Sequence, residues 1–122
     1  MKPIPKILYE EVRERDTIKD KNKQQWYWKC RKCGGKAEHI HHIAGRNYIK
    51  PLYGIPDIQG GNHEYNLISL CSKCHGEIHQ YGMSDEEKLK FIAENKAKTK
   101  QTPKVTEFYE KNKGKLYRGE LY

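Results

Sequence analysis

Two Cys-x-x-Cys pairs constrain this chain more than any other feature of its sequence. One pair is Cys30 and Cys33, and the other is Cys71 and Cys74. Two such pairs in one small chain are typical of a tetrahedral zinc site with four thiolate ligands. The alternative is two disulfides in a secreted protein, but no signal peptide is apparent and tight pairs suit a reducing compartment better. We therefore predict one structural zinc ion held by all four cysteines.

A second set of metal ligands is predicted from the spacing of histidines. His75 and His79 are four residues apart, so on a helix they lie on one face, one turn from each other. Cys74 directly precedes His75, and adjacent helical residues point about 100° apart. The cysteine and the histidines are thus expected to serve different ions. Upstream, His41 and His42 are adjacent in an extended segment and point to opposite faces, one toward an ion and the other toward a solvent cleft.

Periodicity and turn residues indicate the other elements. We expect a helix over residues 5–15, a solvated linker over 19–23, an extended segment over 26–28, a strand over 37–43, a loop over 47–65, and helices that begin near residues 72, 84 and 103. Gly82 should end the first of these three helices, and Ser84 with Glu87 forms a capping box for the second. The aromatic residues at 26–28 either stack on bases or shield a zinc site, and shielding is the commoner role.

Length and composition favour one small domain with a thin core. The chain has 122 residues, of which 35% are apolar, and its mean hydropathy is −1.06. A bound zinc ion would offset the thin core because metal binding adds to the free energy of folding. We divide the chain into an N-terminal arm over residues 1–25, a core over 26–82, and C-terminal helices with a basic tail over 83–122.

The charge of the chain indicates a polyanionic partner, most simply nucleic acid. The net charge is +8 and the pI is near 9.3. Residues 96–122 carry eight basic and three acidic side chains, so this tail either contacts backbone phosphates or remains solvated. No apolar run approaches the ~18 residues that a membrane span needs. We expect a cytoplasmic, DNA-associated protein that does not contact membranes.

Four short motifs in one order resemble the HNH endonuclease family, in its members with a four-cysteine zinc site. The first is Cys30-x2-Cys33, the second is EHIHHI over residues 38–43, the third is NLISLC over 66–71, and the fourth is CHGEIH over 74–79. The resemblance covers residues 30–79 and does not extend beyond them. It implies an α+β fold with a small zinc-stabilised ββα-metal core, two strands and a helix around one divalent ion, with flanking helices.

The resemblance also implies a role for each motif residue. His42 would be the general base that activates water, and Asn66 would fix the loop that carries this base. His41, His75 and His79 would hold the catalytic ion. The family commonly uses Mg²⁺ or Mn²⁺. Imidazole ligands suit Zn²⁺, Ni²⁺, Co²⁺ or Mn²⁺ better than Mg²⁺, so Ni²⁺ and Zn²⁺ are further candidates.

Two features of this assignment stay open in the sequence. His39 offers a shifted alternative for the histidine pair, and Ile43 after the pair favours His41 with His42. Arg46 and Lys73 are the side chains expected to contact nucleic acid.

The implied activity is metal-dependent hydrolysis of phosphodiester bonds in DNA, double-stranded DNA being the expected partner, with 5′-phosphate and 3′-hydroxyl products. One alternative is a non-catalytic, zinc-stabilised DNA-binding module, and another is a zinc module that binds proteins. The sequence leaves three questions open. They are the DNA target, whether the protein nicks DNA or cuts both strands, and whether it acts as a homodimer or within a phage or restriction assembly.

Overall fold

A computed structural model of the chain describes residues 4–44, 62–99 and 102–112, and these segments form an α+β fold. The elements are α1 (Lys6–Arg15), β1 (Thr17–Asp20), β2 (Gln25–Trp28), β3 (His39–His42), a 3₁₀ turn (Glu64–Asn66), β4 (Leu67–Leu70), α2 (Ser72–Tyr81), α3 (Asp85–Lys98) and α4 (Pro103–Asn112). β1 pairs with β2 and β3 pairs with β4, both antiparallel. The expected α+β class is therefore confirmed.

The β1–β2 hairpin corrects the prediction of a solvated linker over residues 19–23. Lys19 pairs with Trp26 and Asp20 pairs with Gln25, so the first two of these residues belong to a strand. The rest form the turn, where Asp20 Oδ1 accepts hydrogen bonds from the backbone N–H groups of Asn22 and Lys23 at 2.9 and 3.3 Å. Periodicity did not predict this strand, because both of its middle residues are exposed and its side chains do not alternate between apolar and polar.

β4 lies at the centre of the molecule, and every one of its residues is buried. Ile68 and Leu70 face α2 and α3, where they pack in one apolar cluster with Phe91. Leu67 faces the other side and packs in a second cluster with Leu8 of α1. Since side chains alternate along a strand, the β3–β4 pair separates these two clusters. Residues of β3 are thereby divided between the two sides as well.

The helix boundaries follow the predicted caps. Gly82 ends α2 with φ 77°, a left-handed conformation that favours glycine. Ser84 Oγ accepts a hydrogen bond from the N–H of Glu87 at 3.2 Å and opens α3. The predicted helices after residues 72, 84 and 103 are all confirmed.

A buried ionic network joins the hairpin, the first cysteine pair and α3. Asp16 accepts hydrogen bonds from Arg15 at 2.9 and 3.0 Å, from Arg31 at 3.0 Å and from Ser69 Oγ at 2.8 Å. Burial alone would raise the pKa of Asp16, but the two guanidinium groups and the hydroxyl lower it. Arg31, which lies between Cys30 and Cys33 in the sequence, also donates to Asn95 of α3 at 2.7 Å. The network thus fixes the first cysteine pair against the rest of the fold.

Several predictions fall on residues that the structure does not describe. Arg46, most of the predicted loop, and the basic tail beyond residue 112 lie outside the described segments. The division at residues 25/26 and 82/83 stays a prediction. Within the described segments, no helix has the length and apolar character required to cross a membrane.

Candidate metal centres

The four predicted cysteine ligands come together in one cluster. Their sulfur atoms all lie within 4.8 Å of one another, and the Sγ atoms of Cys33 and Cys71 are 3.7 Å apart. A tetrahedron with Zn–S bonds of about 2.3 Å has edges of about 3.8 Å, so this distance suits four thiolates around one zinc ion. It is far too long for a disulfide, whose S–S bond is about 2.05 Å. All four cysteines are free, which contradicts the disulfide alternative.

Backbone turns hold the four sulfurs in this arrangement. The N–H of Cys30 donates to the carbonyl of Gly35 at 2.7 Å, and Gly34 turns the chain with φ 83°. In the second pair, Cys71 is the N-cap of α2, and its Sγ accepts from the N–H of Cys74 at 3.4 Å. The N–H of Arg31 donates to the carbonyl of Ser69 at 2.9 Å and joins the two pairs.

The electrostatics of the cluster are those of a site built for a cation. Burial raises the pKa of Cys30, but backbone N–H donors, with Cys33 first among them, outweigh it and lower the value to about 7. In Cys74, burial and hydrogen bonds with the other thiols both raise the pKa. Four thiolates can coexist at this spacing only with a positive ion to compensate them. The donor set, its distances and its charge requirement all fit structural zinc.

Three histidines form a second cluster on the surface of the β3–β4 pair that faces α2. The ligand atoms of His41, His75 and His79 lie within 4.8 Å of one another, and the two Nε2 atoms of His75 and His79 are 3.1 Å apart. Each pair of rings is nearly perpendicular, with interplanar angles of 73°, 81° and 88°. Nitrogen ligands on a tetrahedral zinc ion would be about 3.3 Å apart. The separation of His75 and His79 therefore suits two ligands of one ion, and the ligand nitrogen of His41 lies within 4.8 Å of both.

The protonation states of these histidines also suit metal binding. Burial, followed by the neighbouring His75 and His79, lowers the pKa of His41 to about 4. Burial and the charges of His79 and His39 lower the pKa of His75. A neutral imidazole has the lone pair that a metal ligand must offer.

His39 lies beside this cluster. It is two residues before His41 on β3 and therefore shares its face, and its ring stacks on His75 at 4.8 Å. Its Nε2 is 3.1 Å from Ser72 Oγ, which in turn donates to Glu38 Oε2 at 2.9 Å. The structure groups His41, and not His39, with His75 and His79. The ligand-forming histidine of β3 is thus the one expected when His41 and His42, rather than a pair shifted to His39, form the motif.

His42 points to the other side of β3, as expected for the neighbour of His41. Its Nε2 is 2.7 Å from Oδ1 of Asn62, which acts as the acceptor, so the proton lies on Nε2 and the lone pair on Nδ1. Burial lowers the pKa of His42, and the hydrogen bond to Asn62 opposes this effect. Asn62 was not among the predicted site residues, because it lies 20 residues from His42 in the predicted loop and no motif marks it. His42 is therefore half-buried and oriented by an amide, whereas a position in an open cleft was expected.

Asn66 holds the chain that follows His42. Its Oδ1 accepts from the N–H of Ala44 at 2.9 Å, and its Nδ2 donates to the carbonyl of Ala44 at 3.1 Å. Its own carbonyl accepts from the N–H of Ile43 at 2.8 Å. Both Asn66 and Ala44 are buried, so each of these hydrogen bonds is shielded from water. Asn66 is thus in contact with the segment that the family resemblance assigns to it.

The two predicted nucleic-acid contacts have different outcomes. Lys73 is an exposed residue in the first turn of α2, two residues before His75. Arg46 lies outside the described residues. Contact of either residue with nucleic acid stays a prediction.

The 3₁₀ turn begins with a buried acid. Glu64 is 2% exposed, and its Oε1 accepts a hydrogen bond from the Tyr109 hydroxyl of α4 at 3.3 Å. Burial raises the pKa of Glu64 to about 7. His63 stacks on Tyr109 with ring centroids 4.5 Å apart, and burial lowers its pKa to about 4. His63 therefore packs against α4 and is not among the residues of either metal cluster.

Comparison with known proteins gives one short similarity. The chain is 33% identical over 63 residues to the mitochondrial DNA mismatch repair protein mutS homolog of Sarcophyton glaucum. The matched segment is 52% of this chain and 6% of that protein, so the chain spans a small part of its relative's length. No protein-family model matches the chain. No solved structure matches it either.

Proposed function

We propose that this chain is a metal-dependent endonuclease that hydrolyses phosphodiester bonds in DNA, with a ββα-metal core of the HNH type. The observation that carries the proposal is the convergence of His41, His75 and His79 next to a fourth histidine, His42, that is oriented separately. A structural zinc site alone would need only the four cysteines. Three converging imidazoles and a neighbouring neutral histidine are the components of hydrolytic metal chemistry.

The cation site belongs to β3 and α2. His41 comes from the strand, while His75 and His79 come from one face of the helix, so three protein ligands leave further coordination positions for phosphate and water. A divalent ion bound there would supply Lewis-acid stabilisation of the phosphate and of the 3′ leaving oxygen. His75 and His41 are half-buried and His79 is exposed, which leaves the site accessible to a large substrate.

His42 is the proposed general base. Asn62 accepts the Nε2 proton and thereby fixes the tautomer in which Nδ1 carries a lone pair for the proton of the attacking water. The lowered pKa of His42 keeps the ring neutral at pH 7, the state that a base must start from. Asn66 fixes residues 43 and 44 and so determines where the strand end presents His42.

DNA is the proposed substrate on two grounds. The chain carries a net charge of +8, and Lys73 lies exposed within one helical turn of the histidine cluster. The similarity to a DNA mismatch repair protein is consistent with DNA as the partner. We further propose an intracellular, DNA-associated location, and a homodimer would provide two active sites for double-strand cleavage.

Cleavage of supercoiled plasmid tests this proposal. The wild type would be assayed with Mg²⁺, Mn²⁺, Ni²⁺ or Zn²⁺ and with EDTA, beside His42→Ala and Asn62→Asp. Removal of a general base should reduce the rate by about 10²- to 10⁴-fold. A carboxylate at position 62 should raise the pKa of His42 and move the acidic limb of the pH–rate profile to higher pH.

Two controls make the result interpretable. His42→Ala should keep its zinc content and its melting temperature, because His42 is proposed as a base rather than a ligand. Zinc loss in this variant would count against the assignment of His42. Unchanged cleavage by His42→Ala would contradict it outright.

One observation favours the alternative of a zinc-stabilised DNA-binding module. The ring of His42 bonds to Asn62 on the face of β3 opposite to His41, so no direct contact joins it to the three-histidine cluster among the described residues. A binding module would retain salt-sensitive DNA affinity and cleave with none of the four metals. The same plasmid assay, with a binding measurement beside it, separates the two functions.

A further inference from the structure

The aromatic run at residues 26–28 is divided among three different environments. Trp28 packs against α1: its ring meets Tyr9 edge-on at 6.0 Å, Arg13 lies over it at 5.0 Å, and its Nε1 donates to Ser69 Oγ at 2.7 Å. Tyr27 reaches the first cysteine pair, where its hydroxyl donates to the carbonyl of Gly34 at 3.2 Å. Trp26 is 69% exposed. Tyr27 is therefore the residue of this run that reaches the cysteine site, Trp28 packs against α1, and Trp26 fills neither role.

Trp26 lies on a strongly basic hairpin. Lys19 is its cross-strand partner, so the two side chains share a face with Cβ atoms about 5 Å apart. The turn adds Lys21 and Lys23, both exposed. None of these three lysines takes part in an ion pair with the described carboxylates. Their charges are therefore available to an external anion.

The one acid of the hairpin, Asp20, lies on the other face of the strand pair from Lys19 and Trp26. Asp20 is bound through Oδ1 to two backbone N–H groups of the turn. Beside the indole, a cleft of about 300 Å³ opens between the hairpin and the first cysteine pair. Lys23 and Lys36 line it together with Trp26, and Asp20 is the one acid among its lining residues. An exposed indole, unpaired lysines and an adjacent cleft thus occur together.

We propose that the β1–β2 hairpin is a second DNA-binding surface, which takes a single-stranded segment by stacking Trp26 on an unpaired base while Lys19, Lys21 and Lys23 contact its phosphates. An indole stacks on any base through the π-face, but only when that base is free of its own stack. The lysines supply contacts to the phosphates that carry no sequence information. The inference rests on the proposed function in taking DNA as the partner, and it requires no cleavage.

The decisive experiment compares a short oligo(dT) with an abasic strand of the same length. Binding would be measured by fluorescence anisotropy in the His42→Ala background, so that no strand is cut. Trp26→Ala should weaken binding to oligo(dT) by about 5- to 150-fold, the effect of one lost stacked base. Wild-type Trp26 should prefer oligo(dT) to the abasic strand by a similar factor, and Trp26→Ala should lose that preference.

Two further measurements separate the stacking contact from the charges. Lys19→Ala with Lys23→Ala should reduce the slope of log affinity against log salt by about 1.4, the value for two lost phosphate contacts on a single strand. Intrinsic fluorescence should be quenched by oligo(dT) in the wild type and much less in Trp26→Phe, whose one remaining tryptophan is the half-buried Trp28.

Tyr81→Ala is the matched control. Tyr81 is a second exposed aromatic residue, 78% exposed, and it lies about 200° around α2 from His79. Its removal should leave oligo(dT) affinity unchanged. Because Trp26 and Tyr81 are both exposed, neither change should shift the melting temperature by more than a few degrees.

The proposal is overturned if Trp26→Ala binds oligo(dT) as the wild type does, or if it loses equal affinity for the abasic strand or for a blunt duplex. Failure of the proposed function is a different result. If the protein binds oligo(dT) through Trp26 but never cleaves plasmid, the proposed hairpin surface is supported and the proposed nuclease activity is contradicted. If the protein cleaves plasmid but Trp26→Ala binds oligo(dT) as the wild type does, only the proposed hairpin surface is contradicted.

Discussion

Asn66→Ala is the change with the best-defined structural consequence. The side chain of Asn66 satisfies both backbone groups of Ala44, through a 2.9 Å bond from the N–H and a 3.1 Å bond to the carbonyl. Ala44 is 2% exposed and Asn66 fully buried, so water cannot take over these bonds without opening the structure. Each buried group left without a partner costs about 1–3 kcal/mol. The expected loss for the two groups is therefore about 2–6 kcal/mol, a large part of the ~5–15 kcal/mol that stabilises a typical domain.

Asn66→Asp separates the two hydrogen bonds. Aspartate keeps the oxygen that accepts from the N–H of Ala44, but it places a second oxygen against the carbonyl of Ala44 where the amide nitrogen was. At neutral pH this variant should be at least as destabilised as Asn66→Ala, because a charge is buried beside a carbonyl oxygen. Below pH 4 the protonated acid can donate to that carbonyl, and the difference from wild type should shrink.

Urea unfolding of the zinc-loaded proteins, followed by circular dichroism, measures both variants. Plasmid cleavage would be assayed at a temperature where unfolding curves show Asn66→Ala to be folded. If Asn66 positions the end of β3, the folded variant should cleave more slowly than the wild type. A stability loss below about 0.5 kcal/mol, within the range of ordinary surface substitutions, would refute the reasoning.

Two other changes test the zinc site and the buried acid. Cys71→Ser removes a ligand from the four-cysteine cluster, so it should lose zinc on metal analysis and melt at a lower temperature, as the wild type should after treatment with a strong chelator; an unchanged melting temperature would argue against structural zinc. Burial raises the pKa of Glu64 from its ordinary value of 4.5 to about 7, so between these values the folded state holds a proton that the unfolded state has lost, and stability falls as pH rises through this window. Glu64→Gln removes this term, and its free energy of unfolding relative to wild type should increase by up to about 3 kcal/mol between pH 4 and pH 8, as measured by urea unfolding. A difference that does not change with pH would contradict the assignment.

The spacing of residues along the chain predicted those features that depend only on residues close to one another in sequence. The i, i+4 relation of His75 and His79 needs only a helix, and the separation of Cys74 from His75 needs only the angle between adjacent residues. The ends of α2 and α3 were equally predictable, because Gly82 and Ser84 act on the backbone beside them. These features required no knowledge of the rest of the fold.

Contacts between distant residues could not be predicted in this way. Arg31 reaches Asn95 across 64 positions of sequence, and Asp16 reaches Ser69 across 53. Asn62 bonds to His42 from within a segment that has no periodicity at all. β1 was not predicted for another reason. Its pairing with β2 stabilises it, while three of its four side chains are polar and two are exposed.

The two metal clusters share one helix, and this arrangement couples them. Cys71 caps α2 and Cys74 lies in its first turn, whereas His75 and His79 follow on another face of the same helix. The third histidine, His41, comes from β3, so the histidine cluster forms only if α2 sits correctly against that strand. Zinc bound by the cysteines would anchor the N-terminal end of α2 to the first cysteine pair, which the Asp16 network fixes to the fold. Removal of zinc from the cysteines should therefore disrupt the histidine cluster, even though no histidine belongs to the cysteine site. Replacement of a histidine in the proposed catalytic site should leave the cysteine cluster intact.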